Sequence, residues 1–277
     1  MDLELGSWRF DVSTRAVVIG ILNRTPDSFY DQGAYWDFDA FLRTADQLVA
    51  DGADVLDVGG VKAGPGPEVT EEEELERVVP AVEALVSRFD LPVSADTWRA
   101  SVAEASLAAG AVVGNDISGF ADERYLDVCA AAGASVVATH IRLAPRVPDP
   151  EPVYDDDITV VVREFLAYRA QRAEKAGIPP ERIMLDAGLD LGKTEEQSAQ
   201  LLRASGDLAG VGYVVLLSAS NKRFLGHLCA TEVDDRWDAT VAAHALGIGL
   251  GCRVLRAHDV RAARRVADVT AAILEAR

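Results

Sequence analysis

Polar and ionisable residues recur at one kind of position along this chain, the end of a short apolar run. In order they are Asn23, Asp57, Asp96, Asn115 with Asp116, His140, Asp186, the stretch Ser218 to Lys222, and Arg256 with His258. Each Asp or Asn alone reads equally well as a turn or helix-capping residue. Eight such sites in register are harder to assign to caps. Their types also separate. Asp96, Asn115 and Asp186 offer acceptors and one amide, a set suited to the edge of a flat heterocycle that presents N–H donors. Lys222, Arg256 and His258 gather cationic groups late in the chain, where an anionic group would be held. His140 fits a packed, hydrogen-bonding histidine as well as a catalytic one.

The apolar runs predict eight strands, over 17–22, 54–58, 92–95, 111–114, 135–139, 182–185, 213–217 and 253–257. Helical patterns lie between them, over 38–50, 71–87, 99–109 and 160–176. Thr70 with Glu73 forms a capping box, and Glu71–Glu74 reads as the solvated first turn of a helix. Alternation of this kind implies a parallel sheet with right-handed crossovers. Eight units in about 250 residues is the arithmetic of a TIM (β/α)8 barrel, an α/β fold spanning 1–277 as one domain. A doubly wound open sheet is the alternative, but no GxGxxG follows the first strand. Barrels of this type carry their chemistry at the C-terminal strand ends and commonly hold phosphate at the last two strands. The segment LELGSWRFDVST alternates as a small β-hairpin would, placed to plug the barrel bottom. The proline-rich, acidic stretch 143–157 reads as a mobile loop on the face where ligands enter.

Composition narrows the partners. The 277 residues carry 27 Lys and Arg against 45 Asp and Glu, a net charge of −18. Nucleic acid is excluded, because phosphate backbones are held by an excess of cations. An anionic small ligand would need positive groups concentrated locally against that field. Cys129, Cys229 and Cys252 are scattered and without metal-ligand spacing, as in a reduced cytoplasmic protein. The acidic start MDLELGSWRF predicts no signal peptide, and no apolar stretch reaches membrane-span length.

Several motifs are more specific. NRTPDSFYDQG (23–33), the GG…PG loop (59–66), SADTWRA (94–100), NDISG (115–119), LDAGLDLGKT (185–194), SNKRFLG (220–226) and RAHDV (256–260) resemble dihydropteroate synthase. They stand in that family's order and cover nearly the whole chain. The resemblance implies a homodimeric TIM barrel that binds 6-hydroxymethyl-7,8-dihydropterin diphosphate, loses diphosphate with help from Mg²⁺, and joins the pterin methylene to the amine of 4-aminobenzoate. It implies that Asp96, Asn115, Asp186 and Lys222 contact the pterin. It further implies that Asn23 binds the metal, and that Arg256 and His258 anchor the diphosphate beside Asn23. Asn23, Lys222, Arg256 and His258 would carry the catalysis.

The resemblance breaks at one place. Where the family has GGESTRPG, this chain has GGVKAGPG, so Lys62, Ala63 and Gly64 stand for Ser, Thr and Arg. The family's phenylalanine against the aminobenzoate ring is Leu191, and its serine near the benzoate carboxylate is Arg223. Asn221 also replaces a usual arginine. Such changes resemble a paralogous branch of the family with an altered second-substrate site. Lys62, Arg24 and Arg223 are the cations that could make good the loss, although lysine cannot copy a bidentate arginine. The sequence therefore implies weak or redirected activity, with a pterin-binding protein of different acceptor, or none, as the alternative. Pterin-dependent methyltransferases share such a barrel, but their substrate has no diphosphate for the late cationic cluster to hold.

Overall fold

The computed structural model describes residues 1–25 and 38–276. Most of the NRTPDSFYDQG motif therefore lies outside the described residues. The chain opens with β1 (Asp2–Leu5) and β2 (Trp8–Asp11), an antiparallel pair turning at Gly6 with φ +60°. Eight parallel strands then close into a barrel: β3 (Val17–Asn23), β4 (Val55–Gly59), β5 (Val93–Asp96), β6 (Val113–Asp116), β7 (Ser135–Thr139), β8 (Ile183–Asp186), β9 (Val214–Leu217) and β10 (Cys252–Ala257). Each pairs with its sequence neighbour, and β10 pairs with β3 to complete the ring.

Helices cover the outside. They are α1 (Phe38–Ala50), α2 (Glu71–Arg88), α3 (Ala100–Ala108), α4 (Tyr125–Ala131) and α5 (Ile158–Lys175) in the first part. The second part has α6 (Glu195–Arg203), α7 (Ser205–Ala209), α8 (Arg223–Cys229), α9 (Trp237–Gly249) and α10 (Val260–Glu275). Two buried clusters follow from the two faces of the strands. The larger lies between strands and helices. The smaller, with Val17, Ile19, Val55, Val137, Met184 and Val254, fills the barrel itself, and Leu3, Leu5 and Val12 join it from the N-terminal hairpin. The hairpin therefore plugs the barrel bottom, burying apolar side chains that would otherwise meet water.

Five strands run one or two residues past their expected ends. Asn23, Gly59, Asp96, Asn115 with Asp116, and Asp186 lie inside β3, β4, β5, β6 and β8, because ladder pairing continues through them. These candidate site residues are thus fixed by the sheet, while Lys222 and His258 follow the ends of β9 and β10. The capping box at Thr70 forms as expected. Glu74 corrects the reading of a solvated first turn. It is fully buried, accepts a 2.6 Å bond from Thr97 Oγ1 and pairs with Arg99, while burial raises its pKa. Stretch 143–157 lies beside the ligand face and is tied down there. Arg142 pairs with Asp149, and Tyr154 donates to Gly192 O at 2.7 Å. Among the described residues no helix is long and apolar enough to cross a membrane.

Candidate functional site

Ladder register assembles the first half of the site. Asn23 pairs with Gly59, Gly59 with Asp96, and Asp96 with Asn115, so one row of residues crosses β3 to β6 at the C-terminal mouth. Asp57 stands two residues before Gly59, on the same face of β4 and one layer deeper. Arg256 reaches across from β10. Its Nε donates to Asp57 Oδ2 at 2.7 Å and its Nη2 to Asp96 Oδ2 at 2.8 Å. Asn115 Nδ2 lies 3.3 Å from both Asp57 carboxylate oxygens. Asp57 is therefore the hub of the network. The sequence marked it as a strand-end residue but gave it no role, because only barrel closure brings Arg256 to it.

Burial sets the electrostatics. It pushes Asp96 up to about 7, with Arg256 opposing the shift and nearby Asp57 adding to it. Burial also disfavours charge on Arg256, but Asp57 and Asp96 outweigh it and hold the guanidinium above its ordinary value. Asp186 is raised by burial, against the Gly188 N–H it accepts at 2.8 Å and the nearby Lys222. Lys222 is lowered by burial, with Asp190 and Asp186 pulling the other way.

His258 corrects an expectation. Burial, with Arg256 and Lys222 adding to it, pushes the ring down to about 3, so it is neutral near pH 7 and not a cation. Ser220 Oγ accepts the His258 backbone N–H at 3.2 Å and lies 3.0 Å from Nδ1. The hydroxyl keeps a second lone pair, so either group can donate in the Ser220–Nδ1 contact, and the neutral ring carries one N–H. His258 can then hold an anion by N–H donation alone.

Five residues of this set face one cavity of about 270 Å³, with Asn23, Asp96, Lys222, Arg256 and His258 on its wall beside Thr25, Lys62, Ala63 and Ser220. Asn115 and Asp186 do not line it. Both are buried, Asn115 against Asp57 and Asp186 within the field of Lys222. Among the described residues no group of three or more His, Cys, Asp or Glu could hold a metal.

Two groups beside the site were not read from sequence, buried Lys193 and half-buried Asp190. Lys193 Nζ sits 2.9 Å from His140 Nδ1 and donates to the carbonyls of His140 (3.1 Å) and Leu191 (3.0 Å). Burial pushes it down to about 7 and His140 to about 3. With Phe165 edge-on at 4.8 Å, His140 takes the packed, hydrogen-bonding alternative. Asp190 adopts φ +67°, a left-handed conformation that costs a non-glycine residue energy. Its carboxylate offsets this by accepting the N–H groups of Arg223 at 2.5 Å and Phe224 at 3.3 Å, which ties the 188–193 turn to the start of α8. The lysine before the Thr194–Gln197 capping box was the available signal for Lys193.

The glycine-rich loop also resolves. Among the described residues an ideal Cβ at Gly64 would meet only Lys62 Cε, at 3.8 Å, so they leave space for a side chain that the sequence does not supply. Arg223 does not enter the cavity; it is exposed at the first position of α8. Arg24 lies over the rings of Phe38 and Phe41, at 4.9 and 5.6 Å, and does not line the cavity either. Of the three cations that could compensate for the lost arginine, Lys62 is the one on the cavity wall.

Comparison with known proteins fits this geometry. The family profile described as "Pterin binding enzyme" matches residues 19–258. "Inactive dihydropteroate synthase 2" of Mycobacterium tuberculosis is 41% identical over 94% of this chain and 83% of that protein. "Dihydropteroate synthase" of Streptococcus pyogenes is 35% identical over 96% of this chain and 98% of that protein. The crystal structure of Yersinia pestis dihydropteroate synthase with a sulfonamide drug complex superposes with a TM-score of 0.94 at 34% identity, covering 100% of both chains.

Proposed function

From the premise that this chain belongs to the pterin-binding enzyme family, among the dihydropteroate synthases and their paralogues, we propose a slow dihydropteroate synthase. It binds 6-hydroxymethyl-7,8-dihydropterin diphosphate and condenses it with 4-aminobenzoate. The supporting observation is convergence: five of the seven expected site residues line one cavity, and Asn115 and Asp186 lie buried beside it. On this reading Asp186 accepts the ring and amino protons of the pterin as a charge-assisted pair, with Asn115, Asp96 and Lys222 completing its edge. Arg256, a ring N–H of neutral His258 and Lys222 stabilise charge developing on the leaving diphosphate. The C–O bond at the pterin methylene breaks with its electron pair on diphosphate. The amine nitrogen forms the new C–N bond and loses its proton.

Asn23 lines the cavity, and its amide oxygen is a hard ligand of the kind that suits Mg²⁺, which commonly takes its other oxygens from water and substrate phosphates. Bound there, the ion would neutralise the leaving diphosphate. Gly59 guards that placement, because a Cβ on it would stand 3.2 Å from Asn23 Oδ1 and 3.5 Å from Asp96 Oδ2. Gly59→Ala is expected to weaken Mg²⁺-dependent diphosphate binding about tenfold, the equivalent of about 1.4 kcal/mol, with little change in melting temperature. Equal binding would detach Asn23 from the ion.

Asp186→Asn is expected to weaken pterin binding by roughly 1.5–3 kcal/mol, since an amide cannot accept from two adjacent donors. Unchanged affinity in that variant would remove Asp186 from the pterin site. The second reading is a pterin-diphosphate-binding homologue with another acceptor or no catalysis. Leu191, Gly64 and the 41% identity to a relative named inactive favour it. Calorimetric titration with pterin diphosphate and Mg²⁺, followed by 4-aminobenzoate, separates the two. Heat from the second ligand supports condensation, and heat from the first alone supports the homologue. The whole chain is taken as one barrel domain acting in the cytoplasm as a homodimer, for which exposed Leu246, Val269 and Ile273 on α9 and α10 offer apolar surface.

A further inference from the structure

The cavity contains little uncommitted positive charge. Arg256 must share its charge between an incoming anion and the carboxylates of Asp57 and Asp96, His258 is neutral near pH 7, and Lys222 lies in the field of Asp186 and Asp190. In a chain of net charge −18, a diphosphate entering this cavity needs a cation that no carboxylate already holds. Lys62 meets that need. It is half-buried on the cavity wall, and no carboxylate among the described residues pairs with it.

Its backbone is also held. Arg146 Nη1 donates to Lys62 O at 2.9 Å, its backbone N–H donates to Ala63 O at 3.1 Å, and its Nη2 donates to Pro67 O. Arg146 itself adopts φ +66°, in a stretch anchored by the Arg142–Asp149 pair and the Tyr154 bond to Gly192. A loop with Gly64 and Gly66 would lose much entropy on ordering over a ligand. Three hydrogen bonds from one residue of a second loop supply that order in advance.

We propose that Lys62 is a diphosphate-binding residue of this site and that Arg146 is the positioning residue that holds it there. This rests on the proposed function and adds two residues to it. Lys62 brings charge to the anion, and Arg146 acts only through the 62–67 backbone.

The test is calorimetric titration of the full chain with inorganic diphosphate and Mg²⁺, and in parallel with a dihydropterin lacking phosphates. Lys62→Gln is expected to lose about tenfold or more in diphosphate affinity, in the range of a charged hydrogen bond, with pterin affinity unchanged. Lys62→Arg should retain most of the binding. Arg146→Ala should lower diphosphate affinity comparably and leave pterin affinity unchanged. Arg146→Lys should restore little, because a single ammonium cannot span the carbonyls of Lys62 and Pro67. Diphosphate binding by Lys62→Gln equal to wild type overturns the inference and leaves the proposed function standing. Equal losses of both ligands overturn it too, since they mark a scaffold role. A wild type that binds pterin and diphosphate not at all overturns the proposed function and this inference together.

Discussion

Replacing Arg256 with alanine is expected to abolish measurable diphosphate binding and to destabilise the fold by about 3–5 kcal/mol, the usual cost of orphaning a buried charge. Both effects come from one contact set. Arg256 bonds Asp57 and Asp96 at 2.7 and 2.8 Å, Asp57 is fully buried, and Asp96 is already driven upward by burial. Without the guanidinium, two carboxylates face each other, and among the described residues Asn115 is left to donate to Asp57 and none to Asp96. The double variant Arg256→Ala/Asp57→Asn should recover part of the stability, because one of the two charges is gone, yet recover none of the anion binding. Urea unfolding and calorimetry on the two variants separate the effects as a double-mutant cycle does. Retained diphosphate binding in Arg256→Ala would move the anion site elsewhere. A phosphate-free pterin should lose far less than diphosphate does; equal losses would mean that the two halves of the ligand are not read separately.

Restoring the second-substrate half should raise condensation by about a hundredfold or more, corresponding to recovery of about 3 kcal/mol of transition-state stabilisation. The variant combines Ala63→Thr, Gly64→Arg and Leu191→Phe. Gly64 has room for the new side chain among the described residues, of which only Lys62 Cε lies within 4 Å of its Cβ position. Leu191 contributes no ring face in the native chain, and its carbonyl is already fixed by Lys193. Arg223 needs no reversion, because it is exposed outside the cavity. Single reversions should achieve little, as an arginine without an aromatic partner for the substrate has nothing to close upon, so the gain should exceed the product of the single changes. Sulfonamide binding should appear along with turnover. Steady-state condensation of pterin diphosphate with 4-aminobenzoate is the measurement. A wild type turning over at about 1 s⁻¹ or faster, as ordinary enzymes do, would show the glycine-rich loop to be another way of building the same pocket.

The chain's own order of residues determined the barrel, the N-terminal hairpin, the Thr70 capping box and the identity of the residues at the C-terminal mouth. Those features rest on interactions between residues close in sequence, or on a strand repeat of two and a helix repeat of 3.6 that any stretch displays by itself. Motif order added the family in the same way, since the stretches that carry Asp96, Asn115, Asp186, Lys222 and Arg256 are recognisable without coordinates. Tertiary structure decided what those residues do to one another. Arg256 meets Asp57 and Asp96 across 199 and 160 positions of sequence only because β10 closes on β3. His258 loses its charge, Glu74 is buried, and Lys193 finds His140 because of the surroundings that packing creates. Of Lys62, Arg24 and Arg223, one faces the cavity, one lies over phenylalanine rings and one is exposed, although all three are equally cationic in the sequence. Periodicity is a local property and survives in one dimension. Desolvation and charge pairing depend on distances between remote residues, and those distances exist only after the barrel has closed.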